Sequence, residues 1–287
     1  MDESSQNAEK ILKHQTIWVG HIALPQDHGS WIFLLSPLLI GIFAGGRLSL
    51  ATVFLVIAAF SAFLIRQPVT ILVKAYSGRR SRRELPAAKF WIVVYSILGL
   101  AALVGLFSQG FIFLLILAVP GAPVFAWHLF LVSRRAERRQ LGVELVGTGV
   151  LAFAAPAGYW VGTGIFEPTG WWLFFLTWFQ SAASIVYAYL RLEQRQLNEK
   201  PNLPVRFRMG WRALIYALFN FVSILSLSLA GILPFWLFSP YLLQLLETTQ
   251  GIINPAIKVK PTRIGIRQLV VSLLFTILFI IVWQLPT

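Results

Sequence analysis

Residues 48–65 read LSLATVFLVIAAFSAFLI, eighteen positions without a charge, set between Arg47 and Arg66. As a helix this run is about 27 Å long, close to the roughly 30 Å of hydrocarbon in a bilayer. Apolar and polar residues do not alternate along it, so it is a helix and not a barrel strand. Eight further apolar runs repeat the pattern, at 29–45, 90–106, 111–131, 143–163, 171–190, 213–228, 231–247 and 269–285. The chain is 57% hydrophobic and 12% charged, with a mean hydropathy of +0.73, whereas soluble domains carry about 25% charged residues. The expected fold is all-α: a polytopic membrane helical bundle of about nine transmembrane helices. Residues 1–24 read as a cytoplasmic N-terminal tail, in which residues 1–16 are polar and lack the apolar core of a cleavable signal, and 25–287 as a single transmembrane domain.

Charge sets the orientation. Of 24 Lys and Arg, all but Arg47 and Arg66 fall in the N-terminal segment or in the connections 74–89, 132–142, 191–212 and 248–268. The alternate connections, around 107–110, 164–170 and 229–231, hold none. The positive-inside rule then puts the N-terminus in the cytoplasm and, after nine spans, the C-terminus outside. The expected location is a bacterial cytoplasmic membrane. The +13 net charge is explained by these loops and their anionic headgroup partners, and no nucleic acid is expected. The absence of cysteine excludes disulfides, thiolate nucleophiles and Cys-ligated metals.

Polar residues inside the spans share faces. Gln180, Ser184, Tyr187 and Arg191 form one helical stripe on the sixth span, and Tyr241, Gln244 and Thr248 repeat it on the eighth, with Glu247 alongside. Arg66, Thr70 and Lys74 follow one face at the end of the second span, next to Gln67, with a break expected at Pro68. Glu144 and Thr148 open the fifth span, and Asn220 lies near the middle of the seventh. The ninth offers only Ser272 and Thr276 and reads as peripheral and lipid-facing. Since a charge at the bilayer centre costs about 3 kcal/mol, the joint expectation is a polar cavity open to the cytoplasm, surrounded by the second, fifth, sixth, seventh and eighth spans. Lys260 and Arg263 are expected at its mouth. Each residue also has a structural reading: Ser and Thr bond helix backbones, Arg191 snorkels to headgroups, and Glu144 favours a helix N-terminus.

The sharpest local signal is PQDHGSW at 25–31, leading into the first span. His28 suits proton transfer or anion donation, and Trp31 sits where interfacial aromatics anchor; a helix cap with a belt tryptophan explains both equally. No second His or Asp lies at metal-ligand spacing, so neither a metal nor a cofactor is expected.

This run resembles the start of the YwiC-like membrane proteins, which share a Pro-x-x-His-Gly-x-Trp pattern. The resemblance continues through Arg66-Gln67-Pro68, Glu137-Arg138 to Glu144, Ser181 to Arg191, and Lys260-Pro261-Thr262-Arg263-Ile264-Gly265. It implies a fold and carries no activity. More distantly, helix number and the polar ends of the second and sixth spans are similar to the UbiA superfamily of intramembrane prenyltransferases, which implies a UbiA-like arrangement. That superfamily holds Mg ions on Asp-rich motifs. Here the only aspartates are Asp2 and Asp27, and Arg66, Lys74 and Arg191 stand in the corresponding places, suited to taking an anion directly. The favoured reading is a protein that binds, or also transforms, an anionic amphipathic lipid such as an isoprenoid phosphate. A small-solute transporter and a non-catalytic assembly or regulatory protein are the alternatives, and enzymatic activity is left open.

Overall fold

The apolar runs form helices that extend past them at one end or at both. The computed structural model describes residues 20–25, 28–136 and 140–285. Helix makes up 83% of it, with no strand among the described residues. A single turn, α1 (Gly20–Ala23), precedes α2 (His28–Gly45), α3 (Leu50–Tyr76), α4 (Leu85–Ser108) and α5 (Ala118–Ser133). The fifth apolar run is two helices, α6 (Leu141–Ala152) and α7 (Ala154–Thr163). After these come α8 (Thr169–Gln194), α9 (Leu203–Leu229), α10 (Phe238–Ile253) and α11 (Pro261–Trp283). Seven of the helical segments are long and apolar enough to cross a membrane. The helix Gly29–Gly45 is apolar but shorter, and α10 is a 16-residue helix that includes Gln244, Glu247 and Thr248. Together these helices fall at the expected run positions.

The overhang has a physical cause. Hydropathy reports where lipid contacts a helix, not where its hydrogen-bond ladder stops. α3 therefore runs past Arg66 to Tyr76, and α11 begins at Pro261, well before its apolar run. The expected break at Pro68 is corrected: α3 is continuous through it. Proline removes one donor from the ladder, a loss that neighbouring groups make good in membrane helices.

The chain packs as two compact units. Among the described residues, one comprises those before α2 and those of 49–140. Its centre is the α3–α4 hairpin, where the Phe54 ring lies against Gly105 so closely that an added Cβ would come within 2.7 Å of it. α1 docks on this hairpin through Ile22, packed with Ile71, Ala87 and Ala88. The Tyr95 hydroxyl donates to the carbonyl of Ala23 at 2.9 Å.

The other unit comprises His28–Leu48 and Leu141–Thr287. α2 and α7 meet along a glycine seam, Gly41 and Gly45 against Gly158 and Gly162. A Cβ on Gly158 would lie 2.7 Å from the backbone nitrogen of Ile42, and one on Gly162 2.7 Å from the Cα of Gly45. In lipid, where apolar burial gives little net drive, such backbone approach supplies the van der Waals attraction that holds helices together. The core beside this seam contains Leu173, Leu176, Ile224, Leu237, Tyr241, Phe275 and Phe279. α11 is thus not peripheral: its Ser272, Phe275, Thr276, Phe279 and Val282 face is buried, and Thr276 shares a 2.6 Å hydrogen bond with Ser36 of α2. The opposite face, with Leu269, Leu273, Ile277 and Ile281, is exposed. Apolar composition alone did not distinguish a face that meets protein from one that meets lipid.

Candidate ligand cleft

The stripe on α8 faces the stripe on α10. At its deep end the polar groups join the two helices. The Tyr241 hydroxyl donates to the Leu176 carbonyl at 2.9 Å, and Gln244 Nε2 donates to the Gln180 carbonyl at 2.9 Å and to Ser184 Oγ at 3.1 Å. Gln180 Nε2 donates to the same Ser184 oxygen at 3.1 Å. Nearer the charged end, the Tyr187 hydroxyl donates to Glu247 Oε1 at 2.9 Å. Gly251 is required there, because the Tyr187 phenol occupies the place of its missing Cβ. Arg191, buried at 7% exposure, donates from Nη1 to the carbonyls of Gly251 and Asn254 at 2.7 and 2.8 Å and to Gln194 Oε1 at 2.9 Å. These carbonyls close α10, where a helix end leaves acceptors unpaired and favours positive charge.

The first turns of α11 complete the site. Arg267 forks onto Glu247, Nε to Oε1 at 2.7 Å and Nη2 to Oε2 at 2.8 Å, and also bonds Gln250. Bidentate pairing of this kind is the strong form of the charge-assisted bond. An open cleft of about 460 Å³ lies between α8 and α11, lined by Tyr187, Arg191, Val259, Arg263, Ile264, Arg267 and Gln268. A second pocket, about 20 Å³, is lined by Ser184, Tyr187, Gln244, Glu247, Thr248, Gln268, Val271 and Ser272. Three guanidinium groups against one carboxylate leave this region electropositive.

Of the residues expected from sequence, Ser184, Tyr187, Arg191, Gln244 and Arg263 line these two cavities, and Gln180 and Tyr241 brace the helices beneath them. Glu144 is placed elsewhere: it accepts from the Tyr189 hydroxyl at 2.7 Å, and Tyr189 is two residues, about 200°, around α8 from Tyr187. Asn220 ties α9 to α8 by donating to the Phe179 carbonyl at 2.8 Å. Lys260 is an exposed N-cap of α11, and Trp31 is half-buried in the first turn of α2. His28 begins α2, but its side chain, like Asp27, lies outside the described residues. Arg66, Gln67 and Lys74 are on α3 in the other unit. There Arg66 lies over the Phe63 ring at 5.6 Å, and Gln67 Nε2 donates to the His21 carbonyl at 3.1 Å.

Thr248 and Glu247 were expected only as part of the eighth-span stripe, and Arg267 and Gln268 were not expected at the cavity. A carboxylate late in a lipid-embedded helix demands a partner, and that signal points to Glu247. Arg267 and Gln268 were assigned to a loop because the apolar run begins after them. Among the described residues, no three of His, Cys, Asp and Glu group as metal ligands would.

Fold and cleft define a multi-pass helical membrane protein with an arginine-lined cavity in one of its units. Residues 24–159, a little under half of the chain, match the family model described as "YwiC-like protein". PQDHGSW, Arg66-Gln67-Pro68 and Glu144 fall within the match; the resemblance over Ser181–Arg191 and over 260–265 lies outside it, as do all the residues lining the two cavities. No curated protein and no solved structure matches the chain.

Proposed function

We propose that this protein binds an anionic amphipathic lipid, with the anionic group held in the cleft between α8 and α11. The observation that carries this reading is the convergence of Arg191, Arg263 and Arg267 on one open cavity of about 460 Å³. Guanidinium forks match phosphate oxygens, and three of them exceed what a single Glu247 neutralises. Arg263 is the residue best placed to take the ligand, because Arg267 is committed to Glu247 and Arg191 to the α10 carbonyls. An isoprenoid phosphate, suggested by the UbiA-like helix number, is one such ligand; no Mg-holding carboxylate group is needed for it. The cleft faces the cytoplasm in this reading, since its arginines belong to the positively charged connections. The protein then sits in a bacterial cytoplasmic membrane with its N-terminus inside and C-terminus outside.

Lipid analysis of the purified protein in native lipid tests the reading directly. An anionic lipid should co-purify, survive chelation of divalent metals, and be lost in Arg263→Gln but not in Arg47→Gln. Retention by Arg263→Gln at the wild-type level refutes the cleft as its site. Reporter fusions after residues 84 and 198 should be cytoplasmic and one after 287 external; a cytoplasmic C-terminal reporter overturns the orientation.

A further inference from the structure

Gln244, which lines the small pocket between α8, α10 and α11, carries a polar atom that helix packing does not use. Gln244 is 6% exposed, and its Oε1 has no hydrogen-bond partner. The amide cannot simply be turned over. Its Nε2 donates to the Gln180 carbonyl, and exchanging the two atoms would set two carbonyl oxygens against each other. An orphaned buried acceptor costs about as much as the hydrogen bond it lacks, so native structures supply a partner.

The pocket's other walls say what kind of partner fits. Ser184 and Thr248 contribute hydroxyls, and Thr248 already donates to the main-chain carbonyl of Gln244 at 2.8 Å. Glu247 is engaged by Tyr187 and forked by Arg267, so its charge is matched and an ammonium gains little there beside three arginines. A hydrocarbon end would leave Oε1 stranded. The volume, about 20 Å³, holds one oxygen-sized group, since roughly 10–15 Å³ suffices for a water. Tyr187 and Gln268 line both this pocket and the arginine cleft, so an anion at Arg263 has the pocket next to it.

Resting on the reading of the cleft as an anionic-lipid site, we infer that the ligand is a lipid phosphate carrying a hydroxylated headgroup, of the glycerol-phosphate or polyol-phosphate class. Its hydroxyl donates to Gln244 Oε1. The lipid enters the polar pocket headgroup first, and its chains stay in the bilayer.

Native mass spectrometry of the delipidated full-length protein tests this with three chain-matched probes: phosphatidylglycerol, phosphatidic acid and phosphatidylethanolamine. Wild type should retain phosphatidylglycerol about tenfold over phosphatidic acid, the worth of one or two well-made hydrogen bonds, and phosphatidylethanolamine least. Gln244→Met should bring phosphatidylglycerol down to the phosphatidic acid level and leave phosphatidic acid unchanged. Ser272→Leu, which fills the pocket from α11 and keeps the Gln244 bonds, should do the same should Gln244→Met fail to fold. Equal wild-type retention of the two anionic lipids overturns the inference, leaves a water as the pocket's occupant, and spares the anion reading. A phosphatidylglycerol preference that survives both substitutions also overturns it. Retention of neither anionic lipid removes the cleft reading and this inference together.

Discussion

The α2–α7 seam and the α8–α10 seam solve the same problem in opposite ways. Both join helices in a solvent that gives apolar surfaces no reason to leave it. α2 and α7 do so by removing side chains: glycines bring backbone against backbone, and an added Cβ collides. α8 and α10 do so with side chains, through Ser184, Arg191, Tyr241 and Gln244 bonding across the gap. The first seam is closed and has no polar group to offer. The second has side chains of differing length, leaves space where they end, and concentrates donors and acceptors around it. In membrane helices, the seam held by side chains is where a cavity with chemistry forms.

The contrast breaks first at the glycine seam. Gly158→Ala places a Cβ 2.7 Å from the Ile42 nitrogen and 2.9 Å from the Gly41 carbonyl carbon, both backbone atoms that cannot rotate away. We expect a loss of about 3 kcal/mol, read as a lowered midpoint of thermal unfolding in detergent. A substitution tolerated without change would mean that the helices are further apart than described.

Next comes the end of the polar seam. Arg191→Met keeps the length of the side chain but takes the arginine donor from the Asn254 carbonyl and leaves the Gly251 carbonyl with Gln194 Nε2 alone, at a cost of about 2 kcal/mol. Arg191→Lys should recover only part of this, because one ammonium lacks the planar spread of guanidinium. Full rescue by lysine would show that charge alone, and not geometry, closes α10.

Much of this contrast was legible in the sequence. Helix positions followed from hydropathy, and the α8 and α10 stripes from spacings of three and four. Gly41-x-x-x-Gly45 and Gly158-x-x-x-Gly162 were also there to be read as close-packing pairs. Rotation was not legible. Spacing puts Tyr187 on the α8 stripe and Tyr189 off it, but only packing decides that the first meets Glu247 and the second Glu144. Nor was the start of α11 legible: Arg267 and Gln268 lie on a helix whose first turns are too polar to be counted as a span. The candidate site was therefore half visible, as two stripes without the third wall that closes them.

The smallest effect expected tests whether a polar bond beside the seam, from α9 to α8, matters at all. Asn220 is 2% exposed and makes one bond, to the Phe179 carbonyl at 2.8 Å. Such interhelical bonds in membrane proteins average about 0.6 kcal/mol, because the separated helices find other partners. Asn220→Leu removes the donor from a carbonyl that already accepts within α8, so the loss should be close to that average and lipid retention should not change. A double-mutant cycle with Gln244→Met, measured by unfolding midpoints, would then return no coupling, since the two amides bond different carbonyls, Phe179 and Gln180. Coupling above about 1 kcal/mol, outside the additivity expected of separate sites, would mean that α9 takes part in shaping the pocket. The division between a bracing seam and a cleft-forming seam would then have to be redrawn to include it.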